Sequence, residues 1–241
     1  MLTEVEIREN LKEVEDKICA AVKKAGRDRS EVKLISVSKT NPVEVLEAAY
    51  RCGVRVFGEN RVQELVEKMD YFESKGIKDI EWHLIGHLQT NKVKYIAGRV
   101  AMIHSVDTEK LAKVISDESA KKGVVTDILI ELNIGDEDSK FGLESDDLAN
   151  FVKNIAILPN IRVKGLMCVA PITDDPEKNR KFFNKMYKLS VDIRDKNIDN
   201  VNMCELSMGM TGDYTVAIEE GATFVRVGTG IFGKRNYGVQ Q

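Results

Sequence analysis

The chain has 241 residues, 43% of them hydrophobic and 31% charged, with a formal net charge of −3. That balance describes a soluble globular protein with room for one sizeable core, and it excludes broad electrostatic attraction to nucleic acid or to an anionic membrane surface. The longest apolar runs are strand-sized, and the charged opening MLTEVEIREN lacks the form of a signal peptide, so a cytoplasmic protein is expected.

Residues 3–25 place Leu11, Val14, Ile18, Ala21, Val22 and Ala25 on one helical stripe, with Gly26 as the stop. From there strands are predicted at 32–38, 54–58, 80–85, 101–106, 126–134, 162–169, 203–207 and 223–228. Helices are predicted between them at 42–52, 60–74, 91–98, 108–122, 145–157, 175–196 and 211–220. Several helices end in a glycine just before the next strand, as in RCGVRVF, KKGVVTDILI and EEGATFVRV. Eight strands alternating with helices and no long linker predict a single α/β domain over 1–241: a (β/α)8 TIM barrel with an extra N-terminal helix. An open doubly wound sheet is the alternative. The polar helix faces permit a monomer. The four cysteines are far apart in sequence and make no CxxC pattern. Cys168 and Cys204 fall within apolar strands, so buried thiols are expected.

A barrel of this kind carries its site at the carboxyl ends of the strands. The first strand ends in Lys39. The second ends in Glu59 and Asn60, and the third brings His83, Gly86, Gln89 and Asn91. The fifth brings Glu131 and Asn133, the sixth Met167, the seventh Ser207 and Gly209, and the eighth Arg226, Gly228 and Thr229. The loops after strands seven and eight, SMGMTGD and VGTGIFG, are glycine-rich where such barrels bind phosphate. GTGIFG also matches a dinucleotide fingerprint, but too few residues follow Gly233 to complete that unit.

In FVRVG the valines alternate with Arg226. Valines facing the helices put the arginine into the barrel mouth, as a structural partner of Glu131 or Glu205 or as a donor to a ring nitrogen or an anion. A lysine facing the same mouth is a nucleophile towards aldehydes and forms a Schiff base. A phosphate-bearing aldehyde with a ring nitrogen describes pyridoxal 5′-phosphate. His83 and His87 lack further zinc ligands. His104 is read as a satisfied structural residue, and His83 either lines the site or packs beneath it.

VSKTNP, FGENRVQE, WHLIGHLQTNK, EDSKFG, GLMCVAP and LSMGMTGDYTVAIEEGATFVRVGTGIFGKRNY together resemble the pyridoxal phosphate homeostasis protein family, from about residue 4 to residue 237. That family is similar to the barrel domain of alanine racemase standing alone, a fold type III pyridoxal phosphate protein. The resemblance implies a Schiff base at Lys39, a phosphate held by Ser207, Gly209, Gly228 and Thr229, a pyridine nitrogen facing Arg226, and a ring lined by Asn60, His83 and Met167. It further implies a role in vitamin B6 balance, with PLP-dependent apoenzymes as recipients and no established turnover. An amino-acid racemase is the alternative. It needs proton donors on both faces of the substrate Cα, and no tyrosine stands at a strand end, Tyr214 falling in a helix and Tyr237 in the tail. A sugar-phosphate aldolase would carry its lysine later in the barrel.

Overall fold

The computed structural model describes residues 2–135 and 141–233. Most of the EDSKFG motif and all of the sequence from Lys234, including Tyr237, lie outside the described residues. Thr3 starts the first helix, α1 (Glu4–Lys24), through a capping box with Glu6, and Lys23 and Lys24 complement the dipole at its other end. Its buried stripe is Ile7, Val14, Ile18, Ala21 and Val22.

The chain then alternates: β1 (Lys33–Val37), α2 (Val43–Arg51), β2 (Val56–Glu59), α3 (Val62–Ser74), β3 (Glu81–Leu84), α4 (Val93–Ile96), β4 (Met102–Val106), α5 (Glu109–Lys121) and β5 (Thr126–Leu132). It continues through α6 (Leu148–Ala156), β6 (Ile161–Cys168), α7 (Arg180–Arg194), β7 (Val201–Met210), α8 (Tyr214–Glu219), β8 (Phe224–Val227) and α9 (Thr229–Phe232). The eight strands are parallel and close in sequence order, with β1 paired to β8 from Lys33↔Phe224 to Ser36↔Val227. Helix α1 packs on α8 and α9, across that seam. No helix among the described residues is long and apolar enough to cross a membrane.

Strand alternation sorts the apolar residues into two cores. The larger lies between sheet and helices and takes Phe57, Leu84, Ile103, Ile128, Ile130, Leu166, Val225 and Val227. The smaller fills the bore with Ile35, Val37, Met102, Leu129, Met167 and Phe224. On β8, therefore, Phe224 and Arg226 face inward while Val225 and Val227 face the helices. Full burial of each large aliphatic side chain contributes about 1.5–3 kcal/mol, so the outer core supplies most of the stability.

Gly53 takes φ +98° where α2 turns into β2, the left-handed stop expected there. Elsewhere the structure moves boundaries. The helix expected from residue 175 starts at Arg180, because Asp175 caps a 3-10 turn over Pro176–Asn179. The short seventh strand runs to ten residues, paired with β6 from Val163↔Val201 and with β8 to Met210↔Arg226. Its pairing with β8 begins at Ser207, so Cys204 sits on an overhang and is exposed. The expected burial holds for Cys168 and fails for Cys204, and Cys19 is exposed on the outer face of α1.

Candidate functional site

At the end of β1, Ile35 and Val37 belong to the bore cluster, and Lys39 follows in a turn closed by the Asn41 N–H on the Ser38 carbonyl at 3.1 Å. Lys39 is partly buried, and the residue after it, Thr40, takes φ +66°. A β-branched residue in the left-handed region is strained and persists only where its surroundings hold it. Glu64 holds it here: its Oε1 accepts from the Thr40 N–H at 2.6 Å and from Lys68 Nζ at 2.6 Å. Lys68, from α3, also donates to the Ser38 carbonyl at 2.9 Å and to Glu59 Oε1 at 2.7 Å, and Ser38 Oγ donates to Glu59 Oε1 at 2.5 Å. The second lysine at this end is thus a fully engaged clamp behind the strand tips. Burial pushes the Glu59 carboxyl above its ordinary value against the pull of Lys68.

Arg226 is 4% exposed. Among the described residues its hydrogen bonds run to Ser207 Oγ from Nη1 at 2.7 Å and to the Cys168 carbonyl from Nη2 at 2.8 Å, not to Glu131 or Glu205. Ser207 Oγ also lies 2.9 Å from His104 Nδ1. Ser207 stands opposite Phe224, one inward position below Arg226, and is fully buried. The hydroxyl expected at the phosphate is therefore a support beneath the arginine. For His83 the ring-lining role that the resemblance implies is corrected, and the alternative read from the residues, packing beneath the site, holds. Fully buried, it bonds His104 Nε2 through Nδ1 at 2.8 Å and Glu81 Oε1 through Nε2 at 2.9 Å, and it packs beside Phe224 instead of lining the mouth. His104 has the satisfied buried role read from the sequence.

The loops after β7 and β8 meet at Thr211, whose Oγ1 accepts long contacts from the N–H groups of Gly228 at 3.3 Å and Gly230 at 3.4 Å. Such weakly engaged, convergent backbone donors suit an anion. Gly228 and exposed Thr229 sit at this junction. Gly209 serves packing: at φ +85°, an added Cβ would lie 2.6 Å from Ala217 Cβ and 2.8 Å from Tyr214 Cα. That close approach of α8 accounts for a glycine at this position without a ligand. Residue reading missed Thr211 as a site group, although it lies within the SMGMTGD loop.

Across the bore, Glu131 on β5 stands opposite Met167 on β6. Glu131 Oε2 is buried without a hydrogen-bond partner among the described residues. Burial first, then the Asp107 charge, push the Glu131 carboxyl up to about 7, against the pull of Arg226. Burial also raises Asp107. His87 Nδ1 approaches Asp107 at 3.9 Å and stacks on Phe141 with ring centroids 3.9 Å apart. Asn60, after β2, buries an Oδ1 that also lacks a partner among the described residues. Lys39, Asn60, Met167, Arg226, Gly228 and Thr229 thus gather at the carboxyl end of the barrel, while Ser207 and His83 lie beneath it.

This donor set fits a small anionic ring compound: an amine at one wall, a buried donor-only guanidinium, convergent N–H groups, and orphaned acceptors at Asn60 and Glu131. The family described as "Alanine racemase, N-terminal domain" matches residues 6–236. A pyridoxal phosphate homeostasis protein of Aquifex aeolicus is 45% identical over 229 residues, which cover 95% of this chain and 98% of that one. The structure of PipY from Synechococcus elongatus, solved with pyridoxal phosphate bound, has a TM-score of 0.81 at 30% identity and covers 94% of this chain and 100% of that one. D-threonine aldolase from Filomicrobium marinum shares the fold, with a TM-score of 0.73 at 17% identity over 96% of this chain and 61% of that one.

Proposed function

The chain belongs to the alanine racemase N-terminal domain family, among its pyridoxal phosphate homeostasis proteins, and on that premise we propose that it binds pyridoxal 5′-phosphate covalently at Lys39 and serves cofactor balance without turnover. The observation that supports the reading is the shared end of the barrel: Lys39 stands in the turn that follows β1, and the neighbouring β8 turns Arg226 into the bore. Bound there, the cofactor supplies an aldehyde that an amine captures reversibly, the chemistry of holding and handing over.

The residues divide the work. Lys39 provides the Schiff-base nitrogen, and the Glu64-held turn at Thr40 fixes where its backbone stands. Arg226 donates towards the ring nitrogen and, having no acceptor, keeps a proton off it, which weakens the ring as an electron sink. The N–H groups of Gly228 and Gly230 with the Thr211 and Thr229 hydroxyls take the phosphate. Met167 and Asn60 line the ring. Recipients are apoenzymes that use the same cofactor, served by a cytoplasmic monomer.

Absorbance of the purified, cofactor-loaded protein before and after borohydride tests the reading. Wild type should show the yellow Schiff-base band and a trapped adduct on Lys39. Lys39→Ala should lose both, and their retention would overturn the assignment. Exchange of the Cα proton of common amino acids in deuterated water should stay at background. Exchange with turnover would return the chain to the racemases.

A further inference from the structure

Arg226 heads an unbroken run of hydrogen bonds that leaves the mouth and crosses the bore. Its Nη1 meets Ser207 Oγ at 2.7 Å, and Ser207 Oγ meets His104 Nδ1 at 2.9 Å. His104 Nε2 meets His83 Nδ1 at 2.8 Å, and His83 Nε2 meets Glu81 Oε1 at 2.9 Å. Glu81 closes the run on Lys33 Nζ at 2.8 Å. Strands β8, β7, β4, β3 and β1 contribute in turn. Ser207, His104 and His83 are fully buried, whereas the Lys33 and Glu81 side chains are 45% and 35% exposed on the opposite face of the barrel.

The chemistry of the groups gives this run one polarity. A guanidinium only donates, so Ser207 Oγ accepts from it and directs its own hydrogen to His104 Nδ1. A neutral His104 then carries hydrogen on Nε2 and donates to His83 Nδ1. His83 in turn donates from Nε2 to the Glu81 carboxylate. Each group donates once in the same sense, and both imidazoles use both nitrogens. Desolvation holds His104 well below and His83 below the ordinary imidazole value, keeping both neutral. Glu81, bonded by His83 and Lys33, is held at about 2 and stays an acceptor.

We propose that Ser207, His104, His83 and Glu81 are positioning residues that aim Arg226 at the ring side of the mouth and couple it to the Glu81–Lys33 pair on the opposite face. This deepens the cofactor-binding reading and rests on it. Stability alone does not call for such a run, since well-packed apolar side chains would fill a bore at least as favourably. What the run adds is direction, because each donor fixes the next acceptor. A proton added at His83 Nδ1 puts hydrogens on both nitrogens of the 2.8 Å contact. That contact must then break, or His104 must donate from Nδ1 and reverse Ser207 beneath the arginine. The charges that face the pair are Lys33 from β1, Glu81 from β3, Glu205 from β7 and Arg226 from β8.

Two measurements test the coupling. In cofactor-loaded protein, Ser207→Ala should release the cofactor about tenfold faster and shift the midpoint of the band's pH response by about one unit, the scale of one lost charge-assisted hydrogen bond. His104→Leu should do the same. Glu81→Gln, at the exposed end, should shift the midpoint in the same direction by less, and Ser207→Thr should restore wild-type behaviour. Wild-type midpoints and release rates in Ser207→Ala and Glu81→Gln would overturn the proposal even if His104→Leu fails to fold. The second measurement needs no cofactor: nitrogen-15 imidazole spectra of the unloaded chain should show hydrogen on Nε2 of both His83 and His104 near neutral pH. An Nδ1–H form of either would overturn the polarity. If wild type takes up no cofactor, the functional reading falls and the imidazole spectra still decide the relay.

Discussion

Two glutamates face the bore from opposite ends, and they have opposite fates. Glu81, at the amino-terminal floor, has His83 on one side and Lys33 on the other and is held at about 2. Glu131, at the carboxyl-terminal mouth, leaves one oxygen buried without a partner among the described residues and is pushed up to about 7. The same side chain is satisfied where the barrel has only to hold together and unsatisfied where it has to receive something. The unsatisfied end also carries the strained turn at Thr40, the buried guanidinium and the loosely engaged glycine N–H groups. Frustration gathered at one end of an otherwise consistent fold is the physical signature of a site.

The contrast can be attacked at either end. The largest loss is expected from Lys68→Ala, which strips Glu59 of its cation and unfastens Ser38 and Glu64 together. Breaking a buried pair of this kind costs about 3–5 kcal/mol, read as a lower urea midpoint. The loss should shrink in acid, where Glu59 takes up a proton. Next comes Glu131→Gln. A carboxyl whose folded pKa is raised makes the folded state bind a proton more tightly than the unfolded chain does. Wild-type stability should therefore fall as pH rises from about 4.5 to about 7, by about 3 kcal/mol at most. The glutamine variant should flatten that slope and overtake wild type at pH 8 in urea unfolding. A slope unchanged in the variant would mean that Glu131 is paired in solution. The smallest effect belongs to Glu81→Gln. Its depressed carboxyl stabilises the fold above about 4.5 and loses that contribution as pH falls towards about 2. Partial exposure screens it to under about 1 kcal/mol, visible as a slightly flatter acid limb in thermal melts.

Legibility followed distance along the chain. The barrel was readable because strand alternation and glycine stops are local, and the inward direction of Arg226 was readable because the flanking valines fix which way its register runs. Ser207 was placed one level too high and His83 was left open between two levels: their partners lie on other strands, His104 and Ser207 being 103 positions apart. No local pattern announces such a contact. The Thr40 turn was missed because its holders, Glu64 and Lys68, read as an ordinary charged pair at helical spacing on α3. Cys204 was misjudged because nothing in its own strand reveals where β8 begins beside it.

The seam between β1 and β8 has a consequence for how the molecule comes into being. The lysine proposed for the Schiff base follows β1 and the loop proposed for the phosphate follows β8, hydrogen-bonded neighbours separated by nearly two hundred residues of synthesis. A nascent chain emerging from the ribosome carries Lys39 early but lacks Gly228 until the last strand is out and the ring of strands can shut. A ligand held by both, as proposed, would be captured only after translation, reporting that the last staves of the barrel are in place.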